Sequence, residues 1–291
     1  MQLDLFVHNY ATKRRYDAHR ALLLADVPRA ETALAELRAF DPNDESVAHI
    51  TALIVALAAG QDFANWQARV HHHRAVTQPL AGAFFGSDAP RFLAHVWRRC
   101  LVNNAGQRFD PSCPELHASW LHAQLGEWAE VVSVIEAEPE AQSHEVLQRR
   151  LAEAYLQRGS ALRNRATLVL FQLCWQWPDE TADWLHETSI ADRFLPPSWS
   201  RFVEINDDLV GEASWFPAWW LCQQPAHHTW CGANSINGDP PFSDQPRCAF
   251  EMLRRLCAAE LTSRQIDAAS REKLKRLAPH VLDWYLAARS V

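Results

Sequence analysis

The sequence predicts an all-α fold, and three observations carry that reading. Apolar residues recur at i, i+3 and i+4 along most of the chain, and few segments alternate with period two. Glycine is scarce, at nine residues in 291. The helical stretches also come in pairs divided by short turns, so the expected architecture is an array of helical hairpins ending in a Trp-rich, loop-containing helical part.

The elements follow in chain order. Leu3, Phe6, Val7 and Tyr10 lie at i, i+3, i+4 and i+7, one face of an amphipathic helix. A helix ends near Ala25, and a second, with Ala30, Leu34 and Leu37 on one stripe, stops at Asp41-Pro42. Val47, Ile50, Leu53, Ile54 and Leu57 make the next stripe; the run "ITALIVALAAG" is too short to span a bilayer and fits a buried helix. Phe92, Leu93, Val96, Trp97 and Leu101 give another. Leu147, Leu151, Ala154 and Tyr155 precede the strongly apolar "ATLVLFQLCWQW". Three last helices are predicted around Cys248 to Leu261, Ser263 to Leu277 and Pro279 to Ala288, with Thr262 and Gln265 at capping-box spacing for the second.

Composition narrows the function classes. Hydrophobic residues are 48% and charged residues 22%, ordinary for a soluble globular chain. A net charge of −7 excludes an overall nucleic-acid footprint, so contact with DNA is expected to be weak or indirect. The start carries Asp4 and lacks a basic region ahead of an apolar run, so no secretory signal is expected. Seven cysteines form no paired framework, and Cys100, Cys174 and Cys257 fall inside apolar helical patterns. These features predict a reducing, cytoplasmic setting and no membrane contact.

Three stretches look alike. In "DAHRALLLADVPRAETALAELRAFDPND", Ala18, Ala30, Leu34, Leu37 and Pro42 resemble the small, apolar and closing-proline positions of the tetratricopeptide repeat. "LAEAYLQRG" resembles the first helix of another unit through Leu151, Ala152, Tyr155 and Gly159, and "LHAQLGEWAEVVSVIEAEP" a third turn and helix around Gly126 and Trp128. The resemblance covers roughly half the chain in degenerate form. It implies a TPR-like α-solenoid, with residues 1–10 as a linear motif or capping segment, 11–178 as repeats and 179–291 as the Trp-rich region. Eight of thirteen tryptophans lie between Trp175 and Trp230, where helical spacing favours packing over a ligand cage. Stacked hairpins present a long surface for a partner, so a second protein is expected on the repeat body.

Chemistry finds little support. "HHHR" at His71 to His73 lies in a helical pattern, where consecutive residues point to different faces; a solvated face is expected. "CQQPAHHTWC" offers Cys222, His227, His228 and Cys231, with Cys248 further on, as candidate zinc ligands, without the tight C-x2-C spacing of a specific site. No P-loop, zincin or nucleophile-elbow motif is present. The carboxylates of "AEAEPEAQSHE" and "PDETADW" read as solvated helix ends. Lys13, Arg14 and Arg15, and Arg271, Lys273, Lys275 and Arg276, read as solvated faces. The expectation is a protein that is not an enzyme and carries no cofactor.

One short segment does point to a partner. Gln2, Leu3, Asp4, Leu5 and Phe6 spell "QLDLF", which resembles the Gln-Leu-[Ser/Asp]-Leu-Phe pentapeptide of proteins that bind the β sliding clamp of bacterial DNA polymerase III. The resemblance implies that Leu5 and Phe6 fill an apolar pocket on the clamp, with Leu3 beside them, Gln2 hydrogen-bonding at a small subsite and Asp4 at a permissive position. The function it implies is an adaptor in DNA replication or repair. Two alternatives are a helical-repeat scaffold for secretion or assembly, and a metal-dependent enzyme using the Cys222 to Cys248 loop. Leu5 separates motif from helix: the motif uses Leu5 together with Phe6, whereas a packed amphipathic helix points Leu5 away from the core.

Overall fold

A computed structural model describes residues 2–63, 65–102, 107–187, 198–205, 212–227, 244–263 and 268–289, with the backbone alone at 2–9, 187, 198, 212 and 261–263. Every regular element among the described residues is helical, and none is a strand. No helix among them is long and apolar enough to cross a membrane. The contacts divide the chain into two compact units, Met1–Pro139 and Glu140–Val291.

The first unit begins with a hairpin of α1 (Gln2–Leu23) and α2 (Val27–Phe40). Ala25 takes the left-handed conformation at φ +52°, and the Asp26 N–H reaches back to the Ala21 carbonyl at 2.9 Å. Together these close α1 in the manner of a Schellman turn. The Asp26 carboxylate then accepts the Arg29 N–H at 3.2 Å and caps α2. Ala18, Ala30 and Leu37 are fully buried at this crossing, with Leu34 beside them. α2 stops before Asp41-Pro42, because proline disfavours helical geometry in the residue ahead of it.

α3 (Ser46–Asp62) buries Ile50, Leu53, Ile54 and Leu57, as its apolar run predicts. α4 (Trp66–His72) passes into one π-helical turn, His73–Thr77, then α5 (Gln78–Phe85). α6 (Ala89–Val102) buries Phe92, Leu93, Val96, Trp97 and Cys100 on a single stripe. α7 (Ala118–Gln124) and α8 (Trp128–Ala137) form a second hairpin. Gly126 stands at φ +70° in its turn, and the Glu127 N–H donates to the His122 carbonyl at 2.9 Å.

The second unit is built on α9 (Glu145–Gln157) and α10 (Arg163–Gln176), joined across Gly159 at φ +103°. The middle of α10 buries Ala166 through Phe171, then Leu173 and Cys174, as a segment enclosed by neighbours must, while Arg163, Asn164 and Arg165 in its first turn are exposed. The rest of the unit comprises α11 (Pro178–Glu187), α12 (Ser198–Ile205), α13 (Glu212–Gln223), α14 (Gln245–Ser263), α15 (Ala268–Leu277) and α16 (Pro279–Ala287), of which α11 and α13 pack directly on α10. Phe171 meets Trp220 and Phe250 at centroid distances of 5.5 and 5.6 Å, and Phe202 meets Phe216 and Trp219 at 5.4 and 5.5 Å. Trp184, Trp199, Trp215, Trp219 and Trp220 are buried, so these tryptophans are packing residues; Trp230 lies outside the described residues.

The capping expectation at Thr262 is corrected: α14 continues through Thr262 to Ser263, so Thr262 stands inside a helix and not ahead of one. Its apolar stripe of Leu253, Leu256 and Cys257 meets no breaker near Leu261.

Candidate functional site

The backbone of Gln2 to Phe6 forms the first turn of α1. Their side chains lie outside the described residues, and so does the orientation of Leu5. The anchoring of α1 is described from Tyr10 onward. Tyr10 packs on Phe40 at 4.9 Å between ring centroids, and Ala11, Ala18, Ala21 and Leu22 are buried. Arg14 stacks over the Tyr10 ring at 4.8 Å and meets Glu36 at 2.7 Å and Asp17 at 3.3 Å. Arg15 meets Asp44 at 2.9 Å, and Arg271 meets Glu260 at 2.7 Å. The expectation of solvated basic faces therefore holds for Lys13, Lys273, Lys275 and Arg276, which are exposed. It fails for Arg14, Arg15 and Arg271, which are half-buried against carboxylates.

The loop proposed for zinc is only partly described. Cys222 is buried in α13, where its thiol donates to the Val281 carbonyl at 3.9 Å. Burial pushes that thiol well above its ordinary pKa, so a thiolate there is disfavoured. His227 stacks on Trp220 at 5.3 Å, and Cys248 is half-buried in the first turn of α14. His228 and Cys231 lie outside the described residues. Among the described residues no group of three metal-capable side chains comes together.

The histidine run needs correction. His71 is exposed and faces Glu115 at 3.5 Å, but His72 donates from Nε2 to the Ala56 carbonyl at 2.8 Å, and His73 is 5% exposed. The His73 ring bonds through Nδ1 to the Thr77 hydroxyl at 3.0 Å and abuts Gly60 on α3. Burial lowers its pKa to about 4, helped by His72, Arg69 and Arg99 nearby. Only His71 belongs to a solvated face, because three consecutive helical residues cannot all avoid a core that covers one side of the helix.

A second correction concerns the acidic stretch after α8. Glu138 does not stand free in solvent: its side chain is 13% exposed and faces His117 Nε2 at 3.5 Å, with His117 itself 1% exposed. His117 caps α7, since its Nδ1 accepts the Ser119 N–H at 3.3 Å and the Ser119 hydroxyl at 2.8 Å. With Nδ1 accepting, the neutral ring carries its proton on Nε2, the atom 3.5 Å from the Glu138 carboxylate. On the next turn, His122 Nδ1 donates to Glu127 Oε2 at 2.9 Å. His117, His122 and Glu138 line one cleft of about 570 Å3 in the first unit, with Leu101 and Val134 on its apolar wall and exposed Arg108 at its edge.

No family model, no curated protein and no solved structure matches this chain. What it does must be read from its own residues. Sequence patterns did not point to the cleft. His117 and Glu138 are brought together across a hairpin, and neither belongs to a local motif. The one available signal was His117 two residues before Ser119 at a helix start, the arrangement of a side-chain cap.

Proposed function

We propose that this chain is a non-enzymatic adaptor that binds the β sliding clamp of bacterial DNA polymerase III through Gln2 to Phe6 and acts in DNA replication or repair. The observation that carries the reading is the match of five consecutive residues, "QLDLF", to the clamp-binding pattern. In this reading Leu5 and Phe6 are the anchors, and Gln2 fixes register. The first turn of a helix opens at small cost, so the pentapeptide can leave the helix to engage a pocket. The body acts as a TPR-like array. That part is supported by the two hairpins closed at Gly126 and Gly159, and by burial of Ala18, Ala30, Leu37 and Ala152. Its partner is a second protein held on the helical surface.

The test is surface plasmon resonance on immobilised, purified clamp. Wild type is expected to bind with Kd on the order of ten micromolar, as suits a short ordered peptide. Leu5→Ala combined with Phe6→Ala is expected to weaken binding at least tenfold. Absence of wild-type binding at about 100 μM defeats the proposal.

A second reading takes its support from the helix that starts at Gln2. There the chain is a repeat scaffold unrelated to replication, and residues 2–10 are its terminal helical cap. It requires that Phe6→Ala lower thermal stability and leave clamp binding absent.

A further inference from the structure

The solvent side of α1 is basic and aromatic. Lys13, Tyr16 and Arg20 stand at i, i+3 and i+7, on one face of the helix, and all three are exposed. Tyr16 leaves 62% of its surface to solvent. Beside it opens a cavity of about 390 Å3 where α1, α3 and α5 meet, walled by Tyr16, His19, Ile50 and Phe84. The rings continue behind the wall: His19 meets Phe84 at 5.8 Å between centroids, and His49 stacks on Phe84 at 6.3 Å with 25° between the planes. Arg15 and Ser46 complete the wall, but both are turned to the Asp44 carboxylate, at 2.9 and 2.5 Å. The cavity therefore presents ring faces rather than polar groups that read a ligand's edge. Lys13 and Arg20 flank it, one turn before and one turn after Tyr16. The neighbouring Asp17 pairs with Arg14 at 3.3 Å.

We propose that this face binds single-stranded DNA, with one base stacked on Tyr16 against His19 and Phe84, and the flanking phosphates met by Lys13 and Arg20. Every base carries a π-face, so ring platforms between cations make a strand site that is tolerant of sequence. An acidic peptide would satisfy the two cations but bring no planar group for the rings. A duplex keeps its base faces stacked and unavailable. An RNA strand would bring a 2′-hydroxyl against an apolar wall, where a polar group without a partner costs free energy. The net charge of −7, with Glu45 exposed beside Ser46, opposes a strand outside this face, so the contact is local and weakens steeply with salt. None of Gln2 to Phe6 takes part, and the test needs no clamp, so this inference and the adaptor reading fail separately.

Fluorescence anisotropy of the full chain uses four labelled dodecamers: oligo-dC, oligo-rC, an abasic deoxyribose-phosphate strand and oligoglutamate. At low salt, oligo-dC is expected to bind with Kd on the order of 10 μM. The abasic strand, which has no base to stack, and oligoglutamate are each expected to bind at least fivefold more weakly, and oligo-rC about threefold more weakly. Tyr16→Ala is expected to weaken oligo-dC at least fivefold and Tyr16→Phe to stay within about twofold of wild type. Since Tyr16 is exposed, both variants are expected to keep the wild-type thermal midpoint. Lys13→Gln with Arg20→Gln supplies a second readout. The slope of log affinity against log salt is expected to become shallower by about 1.4, two phosphate contacts at about 0.7 each. The proposal is overturned if oligo-dC fails to bind at about 100 μM, or if the abasic strand, oligoglutamate or oligo-rC matches it. It is equally overturned if folded Tyr16→Ala binds as wild type does, or if the double charge variant keeps the wild-type salt slope.

Discussion

The imidazole of His73 occupies the space that a side chain at Gly60 would need, so α3 and the π-helical turn approach as closely as their backbones and one ring allow. A β-carbon at Gly60 would overlap the ring. The ring has little freedom to retreat, because it is bonded to Thr77 and stands edge-on to Trp97 at 6.3 Å. Helix propensity alone would make Gly60→Ala stabilising by about 1 kcal/mol. Overpacking of a filled core costs about 1–3 kcal/mol and wins here. Gly60→Ala is expected to lower the urea midpoint, and Gly60→Ala with His73→Ala to recover part of the loss. A midpoint raised by Gly60→Ala alone would contradict the close approach.

The same histidine sets a pH dependence. Its folded pKa of about 4 lies below the ordinary value near 6.5, so the folded state refuses a proton that the unfolded chain accepts. Stability is therefore constant from this group well above pH 6.5 and falls as pH drops from 6.5 towards 4, by on the order of 3 kcal/mol in all. His280, also lowered by burial with Asp283 opposing, adds to the loss in the same direction. Glu260 acts in a lower window. Burial pushes its pKa up, but hydrogen bonds from Tyr285, Arg271 and Arg289 outweigh this and leave it below the ordinary value. Its contribution is present above the unfolded carboxylate pKa and is lost only below pH 4.5. Urea titrations between pH 7.5 and 4.5 are expected to show a slope that His73→Gln reduces. Identical slopes in the two proteins would remove His73 as the cause.

Some of this was legible in the sequence, and the exceptions share a cause. The stripes of α3 and α6 were readable because one face of a helix packs against one neighbour, which leaves a 3.6-residue period. α10 was readable for the opposite reason, since enclosure of its middle by neighbours gives a nearly continuous apolar run from Ala166 to Cys174. His73 is hidden in the sequence because three consecutive histidines look equivalent, while the core covers one side of the helix and takes only one or two of three. Thr262 does not start a helix, because a capping box is a local signal and α14 has apolar contacts enough to run past it. The pairing of His117 with Glu138 was illegible: it depends on how the α7–α8 hairpin folds, and no sequence period encodes a contact across a turn.

Glycine positions separate two physical roles. Gly159 stands at φ +103° with open space where a β-carbon would go, so its requirement is purely backbone conformation. Gly159→Ala is expected to destabilise by about 1–3 kcal/mol, because an L side chain rarely adopts that region. Gly82 lies inside α5 with equally open space and no positive φ. Gly82→Ala is expected to stabilise by about 0.5–1 kcal/mol through helix propensity and a less flexible unfolded chain. Thermal midpoints that move the same way for both variants would refute the distinction.

Thiol reactivity follows from burial. Cys100, Cys174, Cys222 and Cys257 are buried, and burial raises all four thiols, Cys100 to about 11. At Cys257 the Arg289 guanidinium, 3.8 Å from the sulfur, opposes that rise without cancelling it. Cys113 and Cys248 are half-buried. Since the thiolate is the reacting form, a group that is both shielded and held protonated reacts slowly on two counts. Iodoacetamide at pH 8 under native conditions is expected to modify Cys113 and Cys248 at least tenfold faster than Cys174 or Cys222, with all of them equalised in urea. Peptide mapping by mass spectrometry reads the order. Native labelling of Cys222 as fast as Cys248 would mean that α13 does not sit closed over Val281, and would restore Cys222 as a candidate ligand.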